Sequence, residues 1–550
     1  MQPTKISACI STELSNEKQL FALKPHDTFP RTTAFRAAAL VIMAGTLFRF
    51  TLASVIDPGV DEAYAIAVAT QWQLSWFDHP PMAFWWVKAM REVARPFFGE
   101  NVPVLMLRLP FVIAFTITCL VMFSLTVRRW GPRAGLWTVL AVTLAPFFSV
   151  SAGSWLVPDG PLLLFLSLTA WLMERILFSG HAPGRERCLW LAAGLTLGLA
   201  GLSKYHAAFF AVGAALFIIA TPHRRLLVSP APWLAVVIAG MVASPVFIWN
   251  VQHDWVAFVF QSSRGVGSGG SDWSGFARSV FGQAAYLGPW TLVGALAATI
   301  FVLRSSAIRC GPAGYLAALG LPTILLFTAV PLWGGDALPH WQMPGWLFLL
   351  PILGHFIATL EARRHSAARA ARSFAFAGGA VLAVGIMIVS LIRFTPPSPT
   401  VIARLDLNAF LEESVTWRGL ADKLIERGLL PPAATVTTPP EHPLVVTFNW
   451  VEASRLAEAL GARASVRVFG EDPRGFAFLA DHAAWIGRDI LIISRPDAFD
   501  RGVRAIRPLF TRVDLQAPVA VEIGGETLFE AQVAIGRNLI SPYPLPYPRR

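Results

Sequence analysis

The sequence predicts a polytopic α-helical membrane protein of about eleven transmembrane helices, followed by a C-terminal soluble α/β domain. Three observations lead to this fold class. Hydrophobic residues make up 55% of the 550 positions and charged residues only 14%, which is unusual for a soluble globular protein. Apolar runs of spanning length recur over the first two thirds of the chain. The Pro-rich segment FTPPSPT at 394–400 then ends this pattern.

The apolar runs define a transmembrane module at 35–394, after an N-terminal tail at 1–34 that we expect to be cytoplasmic. The first run follows this charged tail and has no small-residue cleavage site near its end, so it resembles a retained signal anchor. The runs lie near 35–56, 103–127, 134–152, 161–178, 189–203, 206–221, 231–249, 279–303, 313–333, 343–360 and 374–394.

The distribution of Lys and Arg predicts the orientation of the module, because cytoplasmic loops are enriched in these residues. They occupy alternate loops: Lys5, Lys18, Lys24, Arg31 and Arg36; Arg128, Arg129 and Arg133; Arg185 and Arg187; Arg224 and Arg225; Arg304 and Arg309; Arg363, Arg364, Arg369 and Arg372. The net charge of +11 thus reflects topology and gives no support to nucleic-acid binding.

The other loops must then face outward, whereas the cytoplasmic loops contain few acids. The outward set is Asp57, Asp61, Glu62, Asp78, His79, Asp159, Lys204, His206, Asp254, Asp272, Asp336 and His340. Acids beside hydrocarbon are costly to desolvate, so their concentration on one face indicates a functional site. Cys9, Cys188 and Cys310 fall on the cytoplasmic side and Cys119 within a span, which leaves no cysteine for an outer disulfide.

The first outer loop, 57–102, contains two amphipathic stretches with Trp residues suited to the membrane interface. We expect AYAIAVATQWQL and PMAFWWVKAMREVARPFF to form juxtamembrane helices along the bilayer surface. The turn Asp78-His79-Pro80-Pro81 would join them, and its two prolines would fix the geometry.

The C-terminal region, 395–550, alternates strand-like and helix-like segments, which indicates a small α/β layer. LVVTFNW, SVRVFG and DILIIS have the pattern of strands, VEASRLAEALG that of a helix ending at Gly461, and EIGGETLFEAQVAIG that of a hairpin. An odd number of spans precedes this domain, so we expect it outside. A lid or scaffold is favoured over an independent activity.

Several motifs, in order, resemble the bacterial lipid-linked sugar transferases of the GT-C class. They are Asp-Glu soon after the first span, FDHPPM, the tripeptide RLP at 108–110, VPDGP at 157–161, LSKYHA at 202–207 and HWQMPGW at 340–346. Over about 360 residues the chain is most similar to the glycosyltransferase 39 group, and to Rgt-type galacturonosyltransferases in particular. The family also includes protein O-mannosyltransferases and aminoarabinose lipid A transferases. The latter have Glu-Lys-Pro-Pro where this chain has Asp-His-Pro-Pro, which argues against an aminoarabinose donor.

The resemblance implies transfer of a sugar from a polyprenyl phosphate to a lipid or glycan acceptor of the lipopolysaccharide or lipid A kind. The reaction would take place on the periplasmic face of a bacterial inner membrane, with inversion at the anomeric carbon. A hydroxyl is a poor nucleophile, so a carboxylate must accept its proton. Asp61 matches the family's catalytic acid and is the first candidate for this base, with a helix N-cap as its alternative role. Asp78 is the second catalytic candidate, with an Asx turn as the alternative.

Six further residues are candidates for substrate binding: Glu62, His79, Arg108, Asp159, Lys204 and His340. Lys204 would meet the donor phosphate or else snorkel to the interface. Glu62 could instead serve the helix dipole, Asp159 a turn, His340 an interfacial pair, and Arg108 an ion pair with an acid of the first loop. Arg264 is a weaker candidate for the leaving phosphate.

Two further questions remain open from the residues alone. Asp61, Asp78, His79 and His340 offer O and N donors suited to a divalent metal ion, although no spacing rule supports such a site. The alternative function is a multi-pass transporter or lipid flippase with an outer acidic site. The sequence shows no paired repeat of the kind common in transporters, and no Gly-rich loop for a soluble nucleotide-sugar donor.

Overall fold

A computed structural model describes residues 31–265, 270–363, 416–417, 419–432, 443–479, 482–523, 526–544 and 546–547, with isolated helical positions between 369 and 387. The first two ranges fold into a bundle of α-helices. These are α1 Arg31–Val55, α2 Val60–Val68, α3 Met82–Phe98, α4 Val104–Trp130, α5 Pro132–Leu144, α6 Asp159–Phe178, α7 Pro183–Gly201, α8 Ala207–Ala220, α9 Pro230–Gln252, α10 Val256–Gly265, α11 Trp273–Leu287, α12 Pro289–Arg304, α13 Pro312–Ala329 and α14 Met343–Arg363.

Six helices in the described part of the chain are long and apolar enough to cross a membrane, or up to nine spans if each of three bent helix pairs counts as one. The protein is therefore a multi-pass membrane protein. The helix Pro183–Gly201, which corresponds to the expected span 189–203, is outside that set but packs against α6 and α9. The expected eleventh span, 374–394, lies largely outside the described residues.

Two expected straight spans are in fact bent, and a third bends where it ends. The runs near 134–152 and 279–303 break by 80° and 103° respectively, whereas the run near 206–221 is one helix that turns by 104° into the following segment. Pro146, Pro222 and Pro289 lie at these breaks. Proline lacks the N–H that continues the hydrogen-bond ladder and its ring displaces the preceding turn, so each run changes direction there.

The first loop, 57–102, contains the two expected helices, but the earlier one is shorter than predicted. It ends at Val68, and an irregular segment follows as far as Pro81. Trp76 and Phe77 in that segment are each 1% exposed. The segment is therefore packed into the protein, and of the expected interfacial residues Trp72 remains exposed.

The C-terminal domain contains a five-stranded mixed sheet, and the strands expected from the sequence are confirmed. The strands are β1 Leu444–Asn449, β2 Ser465–Asp472, β3 Ile490–Ser494, β4 Phe510–Ile523 and β5 Glu526–Leu539, in the order β2-β1-β3-β5-β4. β1 is parallel to β2 and β3, whereas β5 is antiparallel to β3 and β4. Its helices are α15 Leu420–Glu426, α16 Trp450–Leu460 and α17 Pro496–Ile506, and α16 ends before Gly461, as expected.

The sheet domain packs directly on the first loop. Helix α16 lies against α2, and apolar side chains of both, Tyr64 and Val68 with Leu456, belong to one buried cluster. The fully buried guanidinium of Arg455 donates a 2.9 Å hydrogen bond to the carbonyl oxygen of Pro58. The domain thus holds the segment that carries the candidate base.

Candidate active site

Asp61 is the second residue of helix α2. The N-cap position belongs to Gly59, so the alternative role of Asp61 as an N-cap is wrong. The side chain is exposed to solvent, and among the described residues its carboxylate accepts no hydrogen bond and has no ion-pair partner within 4.0 Å. Protein atoms crowd around it, and this desolvation raises its pKa, an effect that Arg474 opposes. Asp61 is therefore an accessible carboxylate with the raised pKa that favours proton transfer.

Asp78 is buried and is held by contacts from two directions. Its Oδ1 accepts a 2.8 Å hydrogen bond from the hydroxyl of Tyr64, one helical turn after Asp61. Tyr64 accepts a 2.9 Å hydrogen bond from the backbone N–H of Gly475, and the Gln261 side chain donates to the Asp78 carbonyl. Burial raises the pKa of Asp78, whereas Arg474 and the Tyr64 hydrogen bond lower it. Asp78 is anchored by side chains, and its carboxylate is less accessible than that of Asp61.

Two arginines that are distant in sequence approach these acids. Arg264, at the end of α10, lies 4.6 Å from the ring centroid of Trp341 and 5.7 Å from that of Phe260. Arg474, after β2, lies 3.8 Å from the ring centroid of Trp450 and 5.8 Å from that of Phe260. Both guanidinium groups therefore share one aromatic ring, and each acts electrostatically on Asp61 and Asp78.

Lys204 and Asp159 form a buried ion pair beside this region. The Lys204 ammonium donates to both carboxylate oxygens of Asp159, at 3.0 and 2.9 Å. The two side chains are 5% and 6% exposed, so Lys204 does not snorkel to an interface. Asp159 is the first residue of α6, a position where the helix dipole stabilises negative charge. In this state Asp159 is the anionic partner of Lys204.

His79 and His340 lie close enough to Lys204 to respond to its charge. Burial, and then Lys204, lower the pKa of each imidazole to about 3. Both rings are thus neutral at physiological pH and can donate or accept a hydrogen bond. Within the described residues no three His, Cys, Asp or Glu side chains are arranged to hold a metal ion. The donors suggested from the sequence, Asp61, Asp78, His79 and His340, therefore do not form a ligand set here.

Glu62 and Arg108 are fully engaged with the protein. The Glu62 carboxylate binds the Arg108 guanidinium and accepts backbone hydrogen bonds from Gly59 and Leu156. Arg108 also donates to the carbonyl oxygens of Ala53 and Ile56, at the end of α1. Both side chains are 1% exposed, so their contacts here are structural, and the expected role of both residues in substrate binding stays a prediction. The alternative role predicted for Arg108, an ion pair with an acid of the first loop, is confirmed.

The site therefore has two parts. Asp61, Asp78, Arg264 and Arg474 lie at the contact between the domains, while Lys204, Asp159, His79 and His340 form an adjacent group. The sequence missed Arg474 and Tyr64, which belong to none of the motifs. The only local signal for Arg474 was its place in the turn-forming segment Asp472-Pro473-Arg474-Gly475.

Known proteins resemble the chain in a family match, in the sequence of a curated relative and in the fold of solved structures. Residues 78–249 match the family described as dolichyl-phosphate-mannose-protein mannosyltransferase. Lipid A galacturonosyltransferase RgtD of Rhizobium johnstonii is 29% identical over 221 residues, which cover 40% of this chain and 44% of that relative. The match thus spans less than half the length of the curated relative.

Solved structures resemble nearly the whole chain. ArnT from Cupriavidus metallidurans bound to undecaprenyl phosphate has a TM-score of 0.59 at 17% identity, with coverage of 90% of this chain and 97% of that one. Its apo state gives a TM-score of 0.56 at 16% identity, with coverage of 91% and 98%. The chain therefore has the GT-C fold of these two structures.

The resemblance inferred from the ordered motifs is thereby confirmed. The family match begins at Asp78 and includes Arg108, Asp159 and Lys204. The structural match extends over most of the sheet domain as well. In this GT-C chain, residues of that second domain contact the loop that carries Asp61.

Proposed function

We propose that the protein is a glycosyltransferase that moves a sugar from a polyprenyl-phosphate donor to a lipid or glycan acceptor of the lipid A kind. The reaction takes place on the periplasmic face of a bacterial inner membrane. One observation carries this proposal: Asp61 is an accessible carboxylate without a bonded partner, and it lies beside two arginines at one end of a bundle of apolar helices. Such a place allows a lipid-anchored donor to reach a base and cations together.

The proposed reaction is a single displacement at the anomeric carbon. As the acceptor hydroxyl attacks, its proton passes to the carboxylate of Asp61 and its oxygen bonds to the sugar. The bond from the sugar to the phosphate oxygen breaks, and its electron pair stays on that oxygen. Attack opposite to the departing phosphate inverts the configuration. A base with a raised pKa suits this task, because proton transfer is most efficient when the pKa lies near the working pH.

Cations beside the base would stabilise the negative charge that develops on the leaving phosphate. Arg264 lies near Asp61, and Lys204 lies near His79 and His340. Lys204 is bonded to Asp159 in this state, so binding of the donor would require the phosphate to join or replace that carboxylate. The neutral His79 and His340 rings could donate hydrogen bonds to the sugar or the phosphate.

The relatives support the class of donor and acceptor. The matched family is named for transfer from dolichyl-phosphate mannose, the curated relative is a lipid A galacturonosyltransferase, and a solved neighbour contains undecaprenyl phosphate. We therefore infer a polyprenyl-phosphate sugar as donor, and a uronic acid as the sugar to test first. Surface glycolipids from cells without the protein should then lack a uronic acid in their mass spectra.

The test is a transfer assay with purified protein, a polyprenyl-phosphate sugar and a lipid A acceptor. We expect Asp61→Asn to reduce turnover by about 10²- to 10⁴-fold, the usual contribution of a general base, while donor binding stays near wild type. The exposed Asp497 of the sheet domain provides a matched control, and Asp497→Asn should retain full turnover. Near-normal turnover of Asp61→Asn would show that another group is the base. Wild-type protein without transfer, but with movement of a solute across vesicles, would instead support a transporter.

A further inference from the structure

The backbone around Arg474 is fixed by contacts on both sides. Its N–H donates a 3.2 Å hydrogen bond to the hydroxyl of Tyr547, and the next N–H, of Gly475, donates to Tyr64. Arg474 has a φ of 43°, a left-handed conformation that residues other than glycine rarely adopt. Such strain persists where surrounding contacts enforce it, and it is concentrated at functional sites.

These contacts direct the Arg474 side chain across the domain boundary. Tyr64 is one helical turn from Asp61, so the two residues lie on one face of α2. The Arg474 guanidinium stacks on Trp450 of its own domain and reaches Phe260 of the helical module. Its side chain is 22% exposed, and its one ion pair, from Nε to Asp472 at 3.5 Å, is long. The terminal nitrogens form no hydrogen bond with any described residue.

Arg264 approaches the same place from the helical module. Both guanidinium groups lie within 6 Å of the Phe260 ring centroid, at 5.7 and 5.8 Å. Burial, and then the charge of Arg474, lower the pKa of Arg264, so the two cations repel one another. Asp61 and Asp78 offset part of this repulsion. Neither carboxylate forms an ion pair within 4.0 Å with either arginine in the described part of the chain.

Two planar guanidinium groups with unused donors, on either side of a domain boundary, match the oxygens of a phosphate or carboxylate group. We propose that Arg474 and Arg264 together bind an anionic oxygen group of the substrate next to Asp61. This inference rests on the proposed function and assigns part of the substrate site to the sheet domain. This anionic group is either the phosphate of the polyprenyl donor or the carboxylate of a uronic sugar.

The test measures binding directly, without turnover. Full-length protein in detergent is titrated with polyprenyl phosphate, with a polyprenyl-phosphate uronate and with a polyprenyl-phosphate neutral hexose. Hydrogen bonds to charged groups predict that Arg474→Gln weakens binding of the anion by about 10- to 100-fold. Arg474→Lys should recover part of the loss, because it keeps the charge without the planar fork. The control is Arg512→Gln, which removes a largely exposed arginine of the same domain.

The pattern over the three ligands identifies the source of the anion. Equal weakening for all three assigns the arginines to the phosphate, whereas weakening for the uronate alone assigns them to the sugar carboxylate. Arg264→Gln, from the other domain, must give the same pattern, which guards against a local folding defect in Arg474→Gln. If the wild type binds the ligands and both Gln variants bind them equally well, this inference is overturned alone. If the wild type binds none of them, the proposed function is overturned as well.

Discussion

Glu62 and Arg108 form a two-pronged buried ion pair at 2.8 and 2.5 Å, and each side chain is only 1% exposed. Asp61, the residue next to Glu62, is exposed. The pair therefore fixes the helix that presents the proposed base. We expect Glu62→Gln to lower the free energy of unfolding by about 3–5 kcal/mol, because it leaves the Arg108 charge buried and unpaired. Thermal unfolding in detergent would measure the loss.

The pair Lys88–Glu92 provides the matched control on the neighbouring helix. Its atoms are 3.1 Å apart, but the Glu92 side chain is 49% exposed. Glu92→Gln should therefore change stability by less than about 1 kcal/mol, as is usual for surface pairs. Similar melting of the Glu62 and Glu92 variants would contradict a structural role for the buried pair.

The pH dependence of transfer should follow the ionisation of Asp61. Desolvation raises its pKa above the ordinary value of 3.8. A base acts only when deprotonated, so kcat/KM should fall as the pH decreases through this raised pKa, and the acidic limb should lie above pH 3.8. Asp78 raises the same pKa, so the observed limb reflects the coupled pair.

The substitution Arg474→Gln should shift the acidic limb of this pH profile in a defined direction. The Arg474 charge lowers the pKa of Asp61 and of Asp78, so its removal should move the acidic limb of kcat/KM to higher pH. Arg512→Gln should leave the limb in place. A limb that stays fixed or moves to lower pH in Arg474→Gln would show that Arg474 does not act on the base.

The ion pair of Lys204 and Asp159 can be separated into structural and binding roles. Either Lys204→Met or Asp159→Asn should lower stability by about 3–5 kcal/mol, since each leaves one buried charge or donor without its partner. A double variant, Lys204→Met with Asp159→Leu, should regain much of that loss, because apolar replacement of both partners is often tolerated.

Donor binding then distinguishes the two roles. If Lys204 also binds the donor phosphate, the double variant should be stable yet bind polyprenyl phosphate weakly. A stable double variant with wild-type affinity would limit the pair to holding α6 beside the segment at 202–206.

The orientation of the module can be tested by cysteine labelling. Ser271 is exposed and lies in a loop expected on the outer face. The native Cys188 and Cys310 are also exposed, so they and Cys9 are first replaced by Ser. A cysteine introduced at Ser271 should then react with an impermeant thiol reagent on intact cells. Restored Cys188 should react only after permeabilisation, and the reverse result would invert the orientation.

The sequence predicted the order of the helices and strands because hydropathy and residue periodicity depend on nearby positions. It did not predict the bends, because the hydropathy of an apolar run is an average over all its residues. Pro146, Pro222 and Pro289 were nevertheless usable signals. Asp61 became a candidate because an acid beside a membrane is unusual in itself.

The ion-pair and hydrogen-bond partners of the charged residues were harder to predict from the sequence. Nothing near Lys204 in the chain indicates that Asp159 will bind it, because an ion pair depends on how the helices pack. The contact of Gly475 with Tyr64 joins residues 411 positions apart. Arg474 is thus a candidate for substrate binding only because the structure places the sheet domain in contact with the first loop.

The long contacts between the two domains also set an order of assembly. The ribosome makes the helix with Asp61 early, but Arg455, which bonds to Pro58, is 397 residues later. Domains generally fold as units in the order of their synthesis, so the proposed base is in place well before Arg474 reaches it. A nascent or prematurely ended chain can insert its helices and still lack the part of the proposed substrate site that Arg474 contributes. The position of Arg474 in the second domain thus makes assembly of the proposed site depend on synthesis of that domain.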